Sequence, residues 1–273
     1  MDNIFEGVFS GCFSPECRAD ENGIIRREDD TGEDRVLDGD FFDETDIRLW
    51  RGGIFSRSLE SRAILDNPAS RRLIDEIVGR GCVIDLACGP GMGFIPSVKR
   101  LDPSLPCIAS DANYDVLNEW RKFIGGRKLG ALGFARFSLF DIPIRSGSVP
   151  AYSSFIGISS TREGENGYIK ALSEIRRTLS DGGVLCAVES EWTDIPSILR
   201  LFEKMGREPW GCFLEEQKPW HDRFDENGFD IIYEAPYEYR SLAADDNELG
   251  EAAERYGIDV GMKFTAFIVG KRE

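Results

Sequence analysis

Two hydrophobic periods alternate along this chain. Between about residues 49 and 191, short continuous apolar runs alternate with stretches whose apolar positions fall three and four apart. The runs CVIDLA, PCIASD, GFARFSLFD, PAYSSFIGISS and VLCAVES read as five strands. Continuous apolarity, rather than strict alternation, marks strands buried on both faces of a parallel sheet. Between them lie helical stretches. SLESRAILDNPASRRLIDEIVGRG is broken near Pro68 and closed by Gly79 to Gly81, and GMGFIPSVKRL has Pro96 in its first turn. ANYDVLNEWRKFI places Val116, Leu117, Trp120, Phe123 and Ile124 on one side, and NGYIKALSEIRRTLSDGG is stopped by its two glycines. Strand–helix alternation of this kind predicts a Rossmann-like three-layer α/β/α sandwich.

The flanks differ. Residues 1–48 are acidic and rich in Gly and Asp. Within them GIIRREDDTGEDRVLDGDFF reads as two short strands around Asp-Thr-Gly-Glu. This zone is expected to be an appendage or lid on a domain spanning 49–273. From 192 onward come a helix, IPSILRLFEKMG, a Trp- and Pro-rich segment, EPWGCFLEEQKPW, and two strand-like runs, NGFDIIYEAPYEY and KFTAFIVGKRE. The last two can pair antiparallel. The expected sheet is therefore mostly parallel and seven-stranded, with an antiparallel last strand.

Composition narrows the partners. The chain has 273 residues, enough for a sizeable core. Its 49 acidic and 33 basic residues give a net charge of −16. That sign opposes polyanionic partners, because nucleic-acid binding needs Lys and Arg to neutralise phosphates, and it disfavours anionic membranes likewise. Solubility or high-salt adaptation also accounts for the acidity. The seven cysteines are odd in number and several sit in apolar runs, a pattern suited to a reducing cytosol. Cys12 and Cys17 lack the second ligand pair that a structural zinc requires, so no metal is expected. No apolar run approaches the roughly 20 residues that span a bilayer, and MDNIFEGVFSGCF is unlike a secretory leader. A soluble, cytoplasmic protein is expected.

The chemistry concentrates where VIDLA runs into CGPGMG. The spacing is Asp85-x-Ala87-x-Gly89-x-Gly91-x-Gly93. Glycine is needed where backbone turns sharply or a ligand lies against it. In an open parallel sheet the ligand crevice lies beyond the carboxyl ends of the strands. The next strand ends at Asp111, where a carboxylate can accept from both ribose hydroxyls. After the third strand comes Phe140-Asp141-Ile142-Pro143, where Asp141 can accept from an adenine amine while Phe140 or Ile142 covers the ring. The dinucleotide form GxGxxG/A is not matched, since Phe94 stands where Gly or Ala is required.

With these four features (DLACGPG, Asp111, FDIP and LSDGGVL), residues Arg71 to Glu191 resemble the class I S-adenosylmethionine-dependent methyltransferases. The family's glycine loop is (Asp/Glu)-x-Gly-x-Gly-x-Gly, and here Ala87 stands at the first small position. The resemblance implies S-adenosylmethionine as cofactor, with the loop at Asp85, Ala87, Gly89 and Gly91 against its methionyl part. It implies that Asp111, with Ala112, binds ribose and that Asp141, with Ile142, binds adenine. Ser159 follows the fourth strand, where the family places acceptor-side residues. Ile158-Ser159-Ser160-Thr161 departs from the Asn/Asp-Pro-Pro-Tyr tetrapeptide of methyltransferases acting on adenine or glutamine. KFTAFIVGKR is similar to the seventh, antiparallel strand.

No catalytic residue follows from this. His221 has a suitable acid–base range, but a surface or packing role suits it as well. Glu189 and Glu191 end the fifth strand, either binding a cationic acceptor or meeting solvent. Glu208 to Trp220 is aromatic enough for an organic acceptor pocket or for local packing. Cys88 reads as a small side chain under the loop, and Trp50 with Arg51 to Arg57 as part of a lid. The expected function is methyl transfer to a small organic acceptor by in-line displacement. Protein or RNA methylation, or cofactor binding without catalysis, remain alternatives. The sequence leaves oligomeric state open.

Overall fold

The structure is a computed structural model and describes residues 8–9, 11–30, 55–125, 129–160, 167–209, 218–244 and 248–273. Among them are nine strands: β1 (Cys17–Ala19), β2 (Ile24–Arg27), β3 (Val83–Leu86), β4 (Cys107–Asp111), β5 (Leu132–Arg136), β6 (Val149–Phe155), β7 (Leu179–Trp192), β8 (Phe229–Ser241) and β9 (Gly261–Lys271). Nine helices accompany them: α1 (Phe55–Glu60), α2 (Ala63–Asp66), α3 (Pro68–Gly79), α4 (Ile95–Leu101), α5 (Tyr114–Ile124), α6 (Gly167–Thr178), α7 (Ile195–Met205), α8 (Trp220–Glu226) and α9 (Glu248–Tyr256).

All nine strands form one sheet in the order β1-β2-β5-β4-β3-β6-β7-β9-β8. From β2 across to β7 every pair is parallel, whereas β9 runs antiparallel to both β7 and β8. Seven of these strands are those expected of the sheet, and the antiparallel end is as the sequence implied. The other two, β1 and β2, form a hairpin that extends the sheet beyond β5; β2 lies in the GIIRRE run read as a short strand, whereas β1 was not anticipated. Its turn lies at Asp20–Gly23, earlier than Asp-Thr-Gly-Glu, because Asp20 Oδ1 accepts from the Asn22 and Ile24 amides and Gly23 takes φ +74°. The strand expected after residue 33 lies outside the described residues. Phe9, Phe13 and Ile25 are buried in a core shared with β3 and β6, so the described part of residues 1–48 joins the sheet and core rather than standing apart.

Each sheet face has its own core. On one, Tyr168, Leu172 and Ile175 of α6 and Trp220 and Phe224 of α8 pack together. On the other, Leu73 and Ile77 of α3, Val98 of α4, and Leu117 and Trp120 of α5 do so. The helices start where local chemistry directs: the Asn67 side chain accepts from the Ala69 and Ser70 amides before α3, and Asn113 accepts from Val116 before α5.

Four local expectations change. β5 stops at Arg136, and a turn follows at Leu139–Phe140. α6 stops at Thr178, before Gly182-Gly183. A Cβ on Gly183 would lie 2.9 Å from the Val149 carbonyl, so the glycine there serves a bulge between β6 and β7. The stretch around His221 is helix α8 rather than a loop. α9 was not legible in the acidic tail.

Candidate functional site

The sheet order reverses at β3, whose neighbours are β4 and β6. The loop leaving β3 therefore opens into the crevice at the carboxyl ends of the strands. Ala87, Gly89, Met92 and Gly93 all take left-handed conformations, with φ of +47°, +50°, +57° and +49°. Two of these are not glycine, and such backbone strain is held only where the surroundings over-determine it. Here they do. The Cys88 amide donates to the Ser110 carbonyl (2.8 Å), and Trp120 Nε1 donates to the Gly89 carbonyl (3.0 Å). Ile156, just past β6, is also left-handed at φ +63°, an unusual state for a β-branched residue. Gly157 beside it approaches β3 so closely that a Cβ would stand 2.7 Å from the Leu86 carbonyl.

Asp111 is tied directly to the loop. Its Oδ2 accepts from the Gly89 amide (2.8 Å) and its Oδ1 from the Asn113 amide (2.9 Å). Ala112 adjoins it, and its carbonyl accepts from Arg136 Nε (3.0 Å). Arg136 is buried and also pairs with Asp30 (2.9 Å) from beyond the hairpin. The pairing of Asp111 with the loop brings together two features that the sequence holds 18 residues apart, from Gly93 to Asp111.

Asp85 lies beneath the loop and is fully buried. Its Oδ1 accepts from Ser153 Oγ of β6 and from the Phe94 amide (3.3 Å), while Oδ2 has no hydrogen-bond partner. Burial, with smaller help from Asp111, pushes its carboxyl up to about 7, against the pull of the two donors. Ser153 was not anticipated, although two adjacent serines in an apolar strand were a visible signal.

The expected adenine end is arranged differently. Asp141 is exposed and both its oxygens are held by Arg27 of β2, the NH2–Oδ1 contact being 2.8 Å. Ile142 is not at the crevice surface. It is buried in the core, its amide bonded to Glu174 Oε2 (3.0 Å). The backbone that directly follows β5 is instead Phe137, whose amide donates to the Asp111 carbonyl (3.1 Å).

On the other side, Glu189 is not a solvated rim group. It is fully buried, accepting from Ser154 Oγ (2.8 Å) and the Ser159 amide (2.8 Å), and burial raises its carboxyl above the usual range. It thereby fixes the turn after β6. Ser159 in turn meets Ser190 through their hydroxyls (3.1 Å). Glu191 accepts from the Trp220 amide (2.8 Å) and pairs with Lys263 (2.8 Å). Thr161, the Trp50–Arg51 segment and residues 210–217 lie outside the described residues.

His221 is exposed on α8 and pairs with Glu234 of β8 (2.7 Å), which raises its proton affinity. Both groups face outward, so replacing His221 by Ala is expected to leave cofactor affinity unchanged in a calorimetric titration. A severalfold loss would return it to the site. Cys88 is buried, and desolvation pushes its thiol well above its ordinary range, unlike a nucleophile. Among the described residues no cluster of His, Cys, Asp and Glu could hold a metal ion, and no helix is long and apolar enough to cross a membrane.

No protein-family model matches the chain. Over 121 residues, 44% of the chain, it is 26% identical to the ubiquinone/menaquinone biosynthesis C-methyltransferase UbiE of Methylobacterium nodulans. That stretch is 46% of the relative, so the chain spans less than half of that protein's length. Among solved structures, MccD superposes with a TM-score of 0.52 at 17% identity, covering 76% of this chain and 99% of MccD. At that identity the likeness is one of fold.

Proposed function

We infer that this chain, which has the fold of the class I S-adenosylmethionine-dependent methyltransferases, binds S-adenosylmethionine and passes its methyl group to a small organic acceptor. The observation that carries this is the Gly89 amide on Asp111 Oδ2 at 2.8 Å, which makes one unit of the glycine loop and the ribose acid. The residues fit the cofactor. Glycine at 89 and 93, both left-handed, leaves those two points of the loop without side chains, Asp111 is the acid read as accepting from ribose hydroxyls, and the loop's acid, Asp85, lies beneath with an oxygen without a hydrogen-bond partner. The Arg27–Asp141 pair leaves each Asp141 oxygen one further lone pair for an adenine amine, while Phe137 rather than Ile142 follows β5 at the crevice.

When bound, the sulfonium supplies an activated methyl group. The protein's task is then alignment, since in-line displacement depends mostly on holding the acceptor atom on the methyl axis. The turn from Ile156 to Ser160, fixed by Glu189, and the Ser159–Ser190 hydroxyl pair line the acceptor side. Glu189 therefore acts through backbone placement, and no described group stands as a general base. A small acceptor accords with the net charge of −16, which opposes nucleic acid, and the same reading takes the protein as cytoplasmic. We take residues 49–273 as the methyltransferase domain, with 1–48 an extension that lends it the hairpin.

Calorimetry with S-adenosylhomocysteine tests the reading. Replacing Asp111 by Ala is expected to weaken binding by about 1 to 3 kcal/mol, the scale of charge-assisted hydrogen bonds. Binding that ignores this change would remove the ribose assignment, and no binding at all would remove the cofactor.

A further inference from the structure

The unpartnered oxygen of Asp85 sets the loop's acid apart from Asp111 and Glu189, the other buried or half-buried acids described at the crevice. Asp111 and Glu189 each have both oxygens engaged by donors. Asp85 has two donors on Oδ1 and none on Oδ2, in a place with no solvent access. The loop seals it there: a Cβ on Gly93 would lie 2.6 Å from Asp85 Cγ, so nothing larger than glycine covers the carboxyl.

The groups facing it from each neighbouring element are the Ser153 hydroxyl from β6, the Phe94 amide at the start of α4, the carboxylate of Asp111 and the thiol of Cys107 from β4, and the thiol of Cys88 in the loop. Among the described residues no Lys, Arg or His forms an ion pair with it. A buried carboxylate without a counter-charge holds its proton.

We propose that seating the α-ammonium of a ligand's zwitterionic amino-acid part at the glycine loop expels a proton from Asp85, so that cofactor affinity is linked to pH through this residue. The proposal rests on the cofactor assignment above. The exchange is a simple one: the Asp85 O–H bond breaks, its electron pair stays on the carboxylate, and the proton passes to solvent. The ligand's ammonium supplies the missing positive charge. The coupling is electrostatic and needs no direct contact, because charges interact strongly across water-free protein. With the ligand-free carboxyl near 7, proton release is large just below neutrality and fades above it.

The test is titration of the full chain with S-adenosylhomocysteine at pH 6 and pH 8, each in two buffers of different ionisation enthalpy. At pH 6 the buffer dependence should report release of more than about half a proton per ligand, and at pH 8 much less. Affinity should be about tenfold weaker at pH 6 than at pH 8. Asp85→Asn should abolish both effects while leaving His221, whose proton affinity is raised by the Glu234 carboxylate, in place. Ser153→Ala removes a donor to the carboxylate and should move the release window to higher pH. Binding with equal heats in all buffers, exchange that survives in Asp85→Asn, or a window unmoved in Ser153→Ala would each overturn the linkage while leaving the cofactor assignment standing. No binding at either pH would overturn the assignment itself, and the linkage with it.

Discussion

Gly93→Ala is expected to destabilise the protein by about 3 kcal/mol and to abolish tight binding of S-adenosylhomocysteine. Two effects combine. At φ +49° an L-residue is strained by roughly 1 to 2 kcal/mol. The added methyl would also collide with the Asp85 carboxyl, whose Cγ lies 2.6 Å from the Cβ position. That carboxyl cannot yield. It is held by Ser153 Oγ and the Phe94 amide, and displacing it would break both bonds beneath the loop. Gly91 makes the contrast, because a Cβ there meets nothing within 4 Å. Gly91→Ala should therefore cost much less folding stability. Urea denaturation of both variants with ligand titration decides the matter. Equal stability of the two would refute the packing of Gly93 on Asp85.

The second large effect concerns pH and the ligand-free protein. Asp85 has its carboxyl raised from 3.8 to about 7 by burial. Between those values the folded state holds a proton that the unfolded chain has released, so stability falls as pH rises. The contribution is complete below pH 3.8 and lost as pH passes through about 7, amounting to roughly 4 kcal/mol across the window. Glu189 is also raised by burial and tilts stability the same way, whereas Glu76, lowered first by its bond from Arg80, opposes it. The difference between wild type and Asp85→Asn isolates the one group. Wild type should lose stability relative to the variant from about pH 4 to pH 7, then run parallel above. Parallel curves throughout would show that Asp85 is ionised from its ordinary range upward. Saturating ligand should flatten the wild-type curve if proton expulsion accompanies binding.

Much of this site was open to inspection in the linear chain. VIDLA was continuous apolar sequence and became a central, fully buried strand. The glycines after it signalled a tight turn, and four left-handed residues occur there. Asp111 ends the adjacent strand as its spacing required, because neighbouring parallel strands end at the same edge of a sheet. The antiparallel tail was equally visible in two long apolar runs near the C-terminus.

Other features depended on contacts that no local pattern encodes. Asp141 sits in a tidy motif, yet Arg27, which lies 114 positions away, holds it. Ile142 looked like a ring cover and went into the core, since an apolar side chain follows whichever surface is dry. Glu189 resembled a rim residue at a strand end, but β7 runs on to Trp192 and leaves it inside. The hairpin of β1 and β2 had no apolar period strong enough to announce that it would lengthen the sheet.

The sequence by itself determined the parallel α/β core, the glycine turn and the acid at the next strand's end. Each follows from local periodicity, backbone freedom and strand length, which are properties of neighbouring residues. Only the tertiary structure decided which acids are ionised, which are already paired, and that Asp85 lies sealed with one oxygen unpartnered. Those properties depend on burial and on distant charges, and burial is set by how the whole chain packs.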